Sequence, residues 1–350
     1  MKAISISAHG DRDVLTYTTD FPTPKPGKGE VLVKVAATGL NQVDLVVRRG
    51  YPGIVIPFPH IPGGDIAGTI AEVGEDVDKS LVGNRIVAYP LIACGQCQLC
   101  KDGKPNFCLN WKYFGLHLKG GYAEFACIPA VNAFPLPDSI PWEQAISLPV
   151  AGLTAYHGLK SVGDLKAGQT FFIWGGTGGL GTIAIQIAKQ LGATVIATGS
   201  TPEKLEVMKS LGADYVFNRK TDDVQGEVMK ICPAGVDLIM DYVGPETFPK
   251  SFQMVKKGGT ILLCGIITGR EVSPFSLHMT YLRHLSVKGL YLGTKQEFAE
   301  LIDLTAAGKI KPLIHDVLPL SEAKEAHRRL EAGEMIGKII LKVEQQITQI

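Results

Sequence analysis

Along the first third of the chain, apolar residues fall in short runs separated by turn residues. Val31-Leu32-Val33-Lys34-Val35 follows the Pro/Gly-rich loop Pro22–Gly27 and reads as a strand. Ile66–Val73 and Arg85–Tyr89 read the same way, each bounded by Gly or Asn. From about Thr170 the rhythm changes. Short, largely apolar runs (Thr170–Trp174, Thr194–Thr198, Tyr215–Phe217, Asp237–Asp241 and Thr260–Cys264) are interspersed with helical patterns such as Leu180–Leu191 and Pro202–Leu211. Strands buried on both faces lose their polar alternation, so this rhythm predicts a parallel sheet. Leu285–Leu290 is a candidate last strand and a candidate edge for pairing between copies.

Gln296–Ala307 and Ser321–Ala332 have amphipathic helical spacing and precede a strand at Lys338–Val343. Because the parallel block sits in the middle, the tail is expected to return to the N-terminal block. The predicted architecture is α/β. A β-rich domain comprises residues 1–149 and 294–350, and a doubly wound parallel-sheet domain comprises 150–293. A ligand cleft is expected where two such domains meet.

Composition narrows the class. Lys plus Arg number 35 and Asp plus Glu 34 in 350 residues, a net charge of +1, so neither a nucleic-acid backbone nor an anionic membrane is an expected partner. No stretch reaches the roughly 18 uninterrupted apolar residues of a membrane span. The longest candidate, Phe171–Ala188, is broken by five glycines. No secretory pattern follows Met1, so a cytoplasmic protein acting on a small molecule is expected.

The turn Trp174-Gly175-Gly176-Thr177-Gly178-Gly179-Leu180-Gly181 lies between a predicted strand and a predicted helix. It contains G-x-G-x-x-G at Gly176, Gly178 and Gly181. The first glycine would permit the tight turn, the second would admit a pyrophosphate, and the third would let the helix pack on the strand. The next strand ends in Gly199-Ser200-Thr201-Pro202-Glu203-Lys204. An NAD site would place an acid here for the ribose hydroxyls, and none precedes Glu203. Ser200, Thr201, Lys204 and, after the third strand, Arg219 suit the 2′-phosphate of NADP(H) instead. Ser200–Glu203 also reads as a plain helix N-cap, and both roles are compatible.

Cys94-x2-Cys97-x2-Cys100-x7-Cys108 can bring four thiolates around one zinc ion, in a lobe of about residues 92–112; an iron–sulfur cluster and an empty reduced loop are the lesser alternatives. Four thiolates leave no open coordination position, so that zinc would be structural. Cys127, Cys232 and Cys264 lie in or beside apolar stretches and read as buried small side chains.

These features together resemble the medium-chain dehydrogenase/reductase superfamily over essentially the whole chain. The Met1-Lys2-Ala3 opening, Pro22-x-Pro24-x-Pro26-Gly27, Gly120–Phe125, the cysteine lobe and the Gly176–Gly181 turn stand in the family's order. The resemblance implies a GroES-like catalytic domain, a Rossmann domain, hydride transfer with a nicotinamide cofactor, and a homodimer or homotetramer. It also implies where this chain departs. Zinc-dependent members carry ligands where this chain has Asn41, Gly64 and Val150, so a catalytic zinc is not expected; His60 is a stray candidate ligand.

Asn41-x-x-Asp44, Arg48-Arg49-Gly50-Tyr51-Pro52 and Leu148–Tyr156 resemble the quinone oxidoreductase and enoyl reductase branches. There the reduced alkene or quinone must be protonated, which implies Tyr51 as proton donor and Asn41 as a donor to the substrate carbonyl or the nicotinamide ribose. Their plainer roles are a turn residue at the rim and a turn-stabilising side chain. Asp44 reads as a helix-start residue. Thr154, Val243, Gly244, Gly265 and Ile266 fall where the family contacts the nicotinamide, and Thr177, Gly179 and Leu180 complete the phosphate turn. Three readings stand: an NADPH-dependent quinone or enone reductase, an NADP-dependent alcohol/ketone dehydrogenase, and a nucleotide-binding protein with little turnover.

Overall fold

The structure is a computed structural model, and it describes residues 1–51 and 53–343. Two compact units emerge, one of Met1–Ala151 together with the segment from Thr294, the other of Gly152–Gly293.

The first unit is built on an ordered seven-stranded sheet. Ile314–Pro319, Lys338–Lys342, Glu30–Gly39, Ala67–Val73, Arg85–Ala88 and Ala133–Pro135 lie in that order, and Phe125–Pro129 also pairs with Glu30–Gly39. The tail therefore supplies two strands to the N-terminal sheet. Val31, Val33, Val35, Ile70, Ile86, Ile128, Ile339 and Leu341 are buried around it, which accounts for the apolar runs in the sequence. The tail strand runs antiparallel to Glu30–Gly39, with Ile340 opposite Gly39 and Leu341 opposite Thr38. The same register carried past Ile340 brings Lys338 across from Asn41. Asn41 starts the helix Gln42–Arg49. Arg48 in the last turn of that helix is buried and pairs with Glu331 on the helix Ala323–Ala332, which ties the end of the site helix to the tail.

The second unit is a six-stranded, wholly parallel sheet in the order Tyr215–Asn218, Thr194–Gly199, Thr170–Ile173, Val236–Asp241, Val255–Leu263, Ser286–Gly289. By position in the chain this order is 3-2-1-4-5-6, the doubly wound arrangement whose ligands bind at the carboxyl ends of the strands. Phe172, Trp174, Ile196, Ile239 and Ile261 from the sheet pack with Val224, Val228, Phe248 and Met254 from the helices on it. The helices Val224–Ile231 and Phe248–Met254 are short and lack a long periodic signal, and the sequence reading did not place them. Leu285–Leu290 contracts to Ser286–Gly289 and does close the sheet as an edge strand. No described helix is long and apolar enough to cross a membrane.

One buried carboxylate organises the loop after the fourth strand of this sheet. Asp241 accepts the backbone N–H groups of Val243 and Gly244 at 3.1 Å each, the Thr247 hydroxyl at 2.8 Å and the Ser251 hydroxyl at 2.7 Å. Ser251 in turn accepts the indole N–H of Trp174, at the mouth of the glycine turn, at 2.7 Å. Asp241→Ala strips these donors of their acceptor inside the core and should cost about 3 kcal/mol. Denaturant unfolding measures this, and a loss below about 1 kcal/mol would contradict the network's role.

Candidate functional site

In the Gly152–Gly293 unit, every proposed cofactor contact except Thr154 gathers at the carboxyl ends of the parallel strands. The turn after Thr170–Ile173 opens the helix Gly179–Gln190, capped by Gly178. The left-handed backbone of the turn falls at Gly175 (φ +70°), the residue before the G-x-G-x-x-G pattern begins. A Cβ at Gly181 would stand 2.6 Å from the Gly175 carbonyl oxygen, so this glycine is required for the helix to pack on the turn. A Cβ at Gly178 would meet nothing closer than 3.6 Å, which leaves backbone open to a ligand. Thr177 is buried, and Leu180 lies in the first turn of the helix. Tyr242, which no motif singled out, donates its hydroxyl to the Gly175 carbonyl. Gly265 packs on Tyr242 from the other side, and a Cβ there would sit 2.7 Å from the Tyr242 carbonyl oxygen. Tyr242 thus joins the glycine turn to the Val243-Gly244 and Gly265-Ile266 loops. Ile266 is exposed and Thr154 is buried in the helix Leu153–His157.

At the end of the second strand, Thr201 caps the helix Pro202–Ser210, accepting the Lys204 N–H at 3.3 Å. Arg219 docks its backbone N–H on the Gly199 carbonyl at 2.9 Å. Burial and the charges of Arg219 and Lys220 hold the Lys204 ammonium below its usual pKa, with Glu203 pulling the other way. A half-buried cation repelled by two others is a place where an anion is stabilised.

In the unit that holds the N-terminal sheet, Asn41 stands in a buried polar cluster. Its side-chain N–H donates to Asp65 Oδ2 at 2.7 Å, and its Oδ1 accepts from Lys338 Nζ at 2.5 Å. Lys338 Nζ also lies 2.7 Å from Asp65 Oδ2. Lys338 and Asp65 are both buried. Burial pushes the Asp65 carboxyl above its usual range, while Lys338 and Asn41 pull it back. Asp44 accepts the Asn41 backbone N–H at 2.8 Å; burial, helped by the Asp65 charge, raises its carboxyl to about 7. Neither Lys338 nor the contact of Asp65 with Asn41 is visible in the sequence, because the partners are 297 and 24 residues apart.

A Cβ at Gly64 would lie 2.0 Å from the Tyr113 hydroxyl oxygen, so an aromatic ring already fills the space a side chain would need. His60 is buried and spends its Nε2 on the Gly115 carbonyl at 3.0 Å. Tyr51 is half-buried, and its carbonyl oxygen accepts the Ile54 N–H at 3.0 Å. Its hydroxyl makes no hydrogen bond among the described residues, and Pro52 of the same motif lies outside them.

The four cysteines converge. Their sulfur atoms all lie within 4.8 Å of one another, with Cys94–Cys100 at 3.9 Å, Cys97–Cys100 at 3.4 Å and Cys97–Cys108 at 4.0 Å. Four sulfurs about 2.3 Å from a tetrahedral zinc stand about 3.8 Å apart, so the donor set fits that ion. The backbone N–H groups of Gln96 and Cys97 pull the Cys94 thiol down to about 6, toward the thiolate a metal needs. Cys100→Ser should lower zinc below one ion per chain by elemental analysis; undiminished zinc would place the metal elsewhere.

Two family models match the chain: an alcohol dehydrogenase GroES-like domain over residues 27–138 and a zinc-binding dehydrogenase over residues 179–307. The chain is 34% identical to an NAD-dependent alcohol dehydrogenase of Sulfolobus acidocaldarius, over 93% of this chain and 95% of that one. It is 32% identical to an acryloyl-coenzyme A reductase of Sulfurisphaera tokodaii, over 92% and 95%. A solved quinone oxidoreductase of Pseudomonas syringae superposes with a TM-score of 0.83 at 30% identity, covering 97% of this chain and 99% of that one. With a GroES-like unit, a Rossmann-like parallel-sheet unit and these relatives, the chain belongs to the medium-chain dehydrogenase/reductase superfamily and is an oxidoreductase.

Proposed function

We propose that the protein is a cytoplasmic NADPH-dependent reductase that delivers hydride to a quinone or an α,β-unsaturated carbonyl without a catalytic zinc. The observation that carries this reading is the donor set around Asn41. A catalytic zinc needs about three protein ligands and one open position. Here the Asn41 amide is engaged by Asp65 and Lys338, position 64 is filled by Tyr113, and Val150 is apolar. That set does not fit the ion.

The residues at the glycine turn do fit a dinucleotide. Gly176–Gly181 would hold the pyrophosphate, Val243, Gly244, Gly265 and Ile266 would border the nicotinamide with Thr154, and Ser200, Thr201, Lys204 and Arg219 would take the 2′-phosphate. When bound, NADPH supplies the hydride. The chain's own task is to hold the acceptor's oxygen and provide a proton as negative charge develops there. Tyr51 carries an available hydroxyl for the proton, and Asn41 carries the hydrogen-bond donor.

The relatives named as an acryloyl-coenzyme A reductase and a quinone oxidoreductase favour this reading. The relative named as an alcohol dehydrogenase keeps the reversible alcohol/ketone reaction as the second one. A homodimer or homotetramer is proposed through the edge strand Ser286–Gly289, beside which Leu277, Tyr281, Leu282 and Val287 are exposed.

NADPH oxidation measured in parallel with quinones, enones and ketones tests the class. Turnover confined to ketones favours the alcohol/ketone reading, and no turnover leaves a nucleotide-binding protein. Ser200→Asp should weaken NADPH binding more than NADH binding, because a carboxylate would face the 2′-phosphate; titration showing an unchanged ratio would remove the NADPH assignment. Tyr51→Phe should lower enone turnover more than tenfold, since a general acid typically contributes ~10²–10⁴. Full turnover would reduce Tyr51 to packing.

A further inference from the structure

We infer that Lys338 and Asp65 are positioning residues that lock the Asn41 amide into one orientation, leaving its second N–H as a fixed donor for the substrate oxygen. The inference rests on the preceding reading only for the identity of the acceptor.

The atoms themselves settle which way the amide faces. An ammonium can only donate, so the amide atom 2.5 Å from Lys338 Nζ is Oδ1. The nitrogen must then face Asp65 Oδ2, at 2.7 Å, and that oxygen already accepts from Lys338. An Asn amide flipped by 180° would set its N–H₂ against the ammonium and its carbonyl against the carboxylate oxygen. Both contacts would be repulsive inside the protein, where such contacts are weakly screened. One of the two Nδ2 hydrogens is spent on Asp65. The other has no partner among the described residues, and Asn41, unlike Lys338 and Asp65, is not fully buried.

The surrounding chain is shaped to hold this arrangement. Gly39 is required where the Lys338 stem passes: a Cβ there would lie 2.6 Å from Lys338 Cε and 2.9 Å from Asp65 Oδ2. Asp65 is held from its other side by the Thr38 hydroxyl, which donates to the Asp65 carbonyl at 2.7 Å. The tail strand fixes Lys338 through its backbone, whose N–H donates to the Leu313 carbonyl at 2.9 Å. A donor held in advance costs no reorganisation when charge appears on the substrate oxygen, and this is the source of its catalytic value.

An exchange of the two partners separates this role from a purely structural one. In the double variant Asn41→Asp/Asp65→Asn, the buried charge pair with Lys338 persists through position 41, whose oxygen already lies 2.5 Å from Lys338 Nζ, while the hydrogen bond between residues 41 and 65 is given up, because Asp65 Oδ2 serves both partners. Position 41, however, becomes an acceptor. The variant should melt within a few degrees of the wild type and keep its KM for NADPH. Its kcat should fall about a hundredfold, the scale of one lost oxyanion donor. The assay uses whichever of quinone, enone or ketone the wild type reduces. Wild-type kcat in the exchanged variant would overturn the proposal.

A second measurement needs no substrate. In nitrogen-15 spectra, the Asn41 side-chain amide, assigned by its absence in Asn41→Asp, should show one proton slow to exchange with water. That protection should vanish in Lys338→Met, and equal exchange in both proteins would overturn the lock. A wild type that reduces none of the acceptors would instead sink the preceding reading, with the amide spectrum still deciding this one.

Discussion

The ammonium of Lys338 and the carboxylate of Asp65, 2.7 Å apart and both shielded from water, set the terms for the GroES-like unit. Desolvating two charges is costly, and apolar replacements of similar volume are often as stable or more so. Such a pair is therefore poor evidence of a need for stability. What it does supply is direction: around it, one amide can face only one way. The sheet makes the pair possible, because the register of the tail strand against Glu30–Gly39 carries Lys338 to Asn41 from the far end of the chain.

The Rossmann-like unit solves a different problem with backbone. Its parallel strands deliver the turn at Gly175–Gly181, the Lys204/Arg219 corner and the Val243-Gly244 loop to one edge of the sheet. Asp241 and Tyr242 then join these loops from within, one by accepting hydrogen bonds and the other by donating to Gly175. A ligand at that edge would meet loops whose geometry is already fixed by the core.

What could be read from the sequence was what is encoded locally. The glycine turn, the four cysteines and the strand–helix alternation each fit within one short window, and the structure places each where its pattern indicated. The tail strand at Lys338–Lys342 was also legible as a strand, but its partner was not. The charge pair joins residues 273 positions apart, one on the tail strand and one in the loop before Ala67–Val73, and nothing in Gly337-Lys338-Ile339 distinguishes its lysine from a solvated one. Asp65 follows Gly64 with no motif of its own to mark it, and Tyr113, which occupies the space beside Gly64, carried no signal at all. Gly175 and Gly176 are identical in type, and the structure gives the left-handed backbone and the contact with Tyr242 to Gly175.

The most direct test of the whole account is a crystal structure of the protein with NADPH and an unreactive carbonyl or quinone analogue, with data collected on both sides of the zinc absorption edge. The account predicts one anomalous peak per chain, among Cys94, Cys97, Cys100 and Cys108, and the analogue's oxygen within hydrogen-bond reach of Asn41 Nδ2. A second peak beside Asn41, with the analogue's oxygen bound to it, would contradict it.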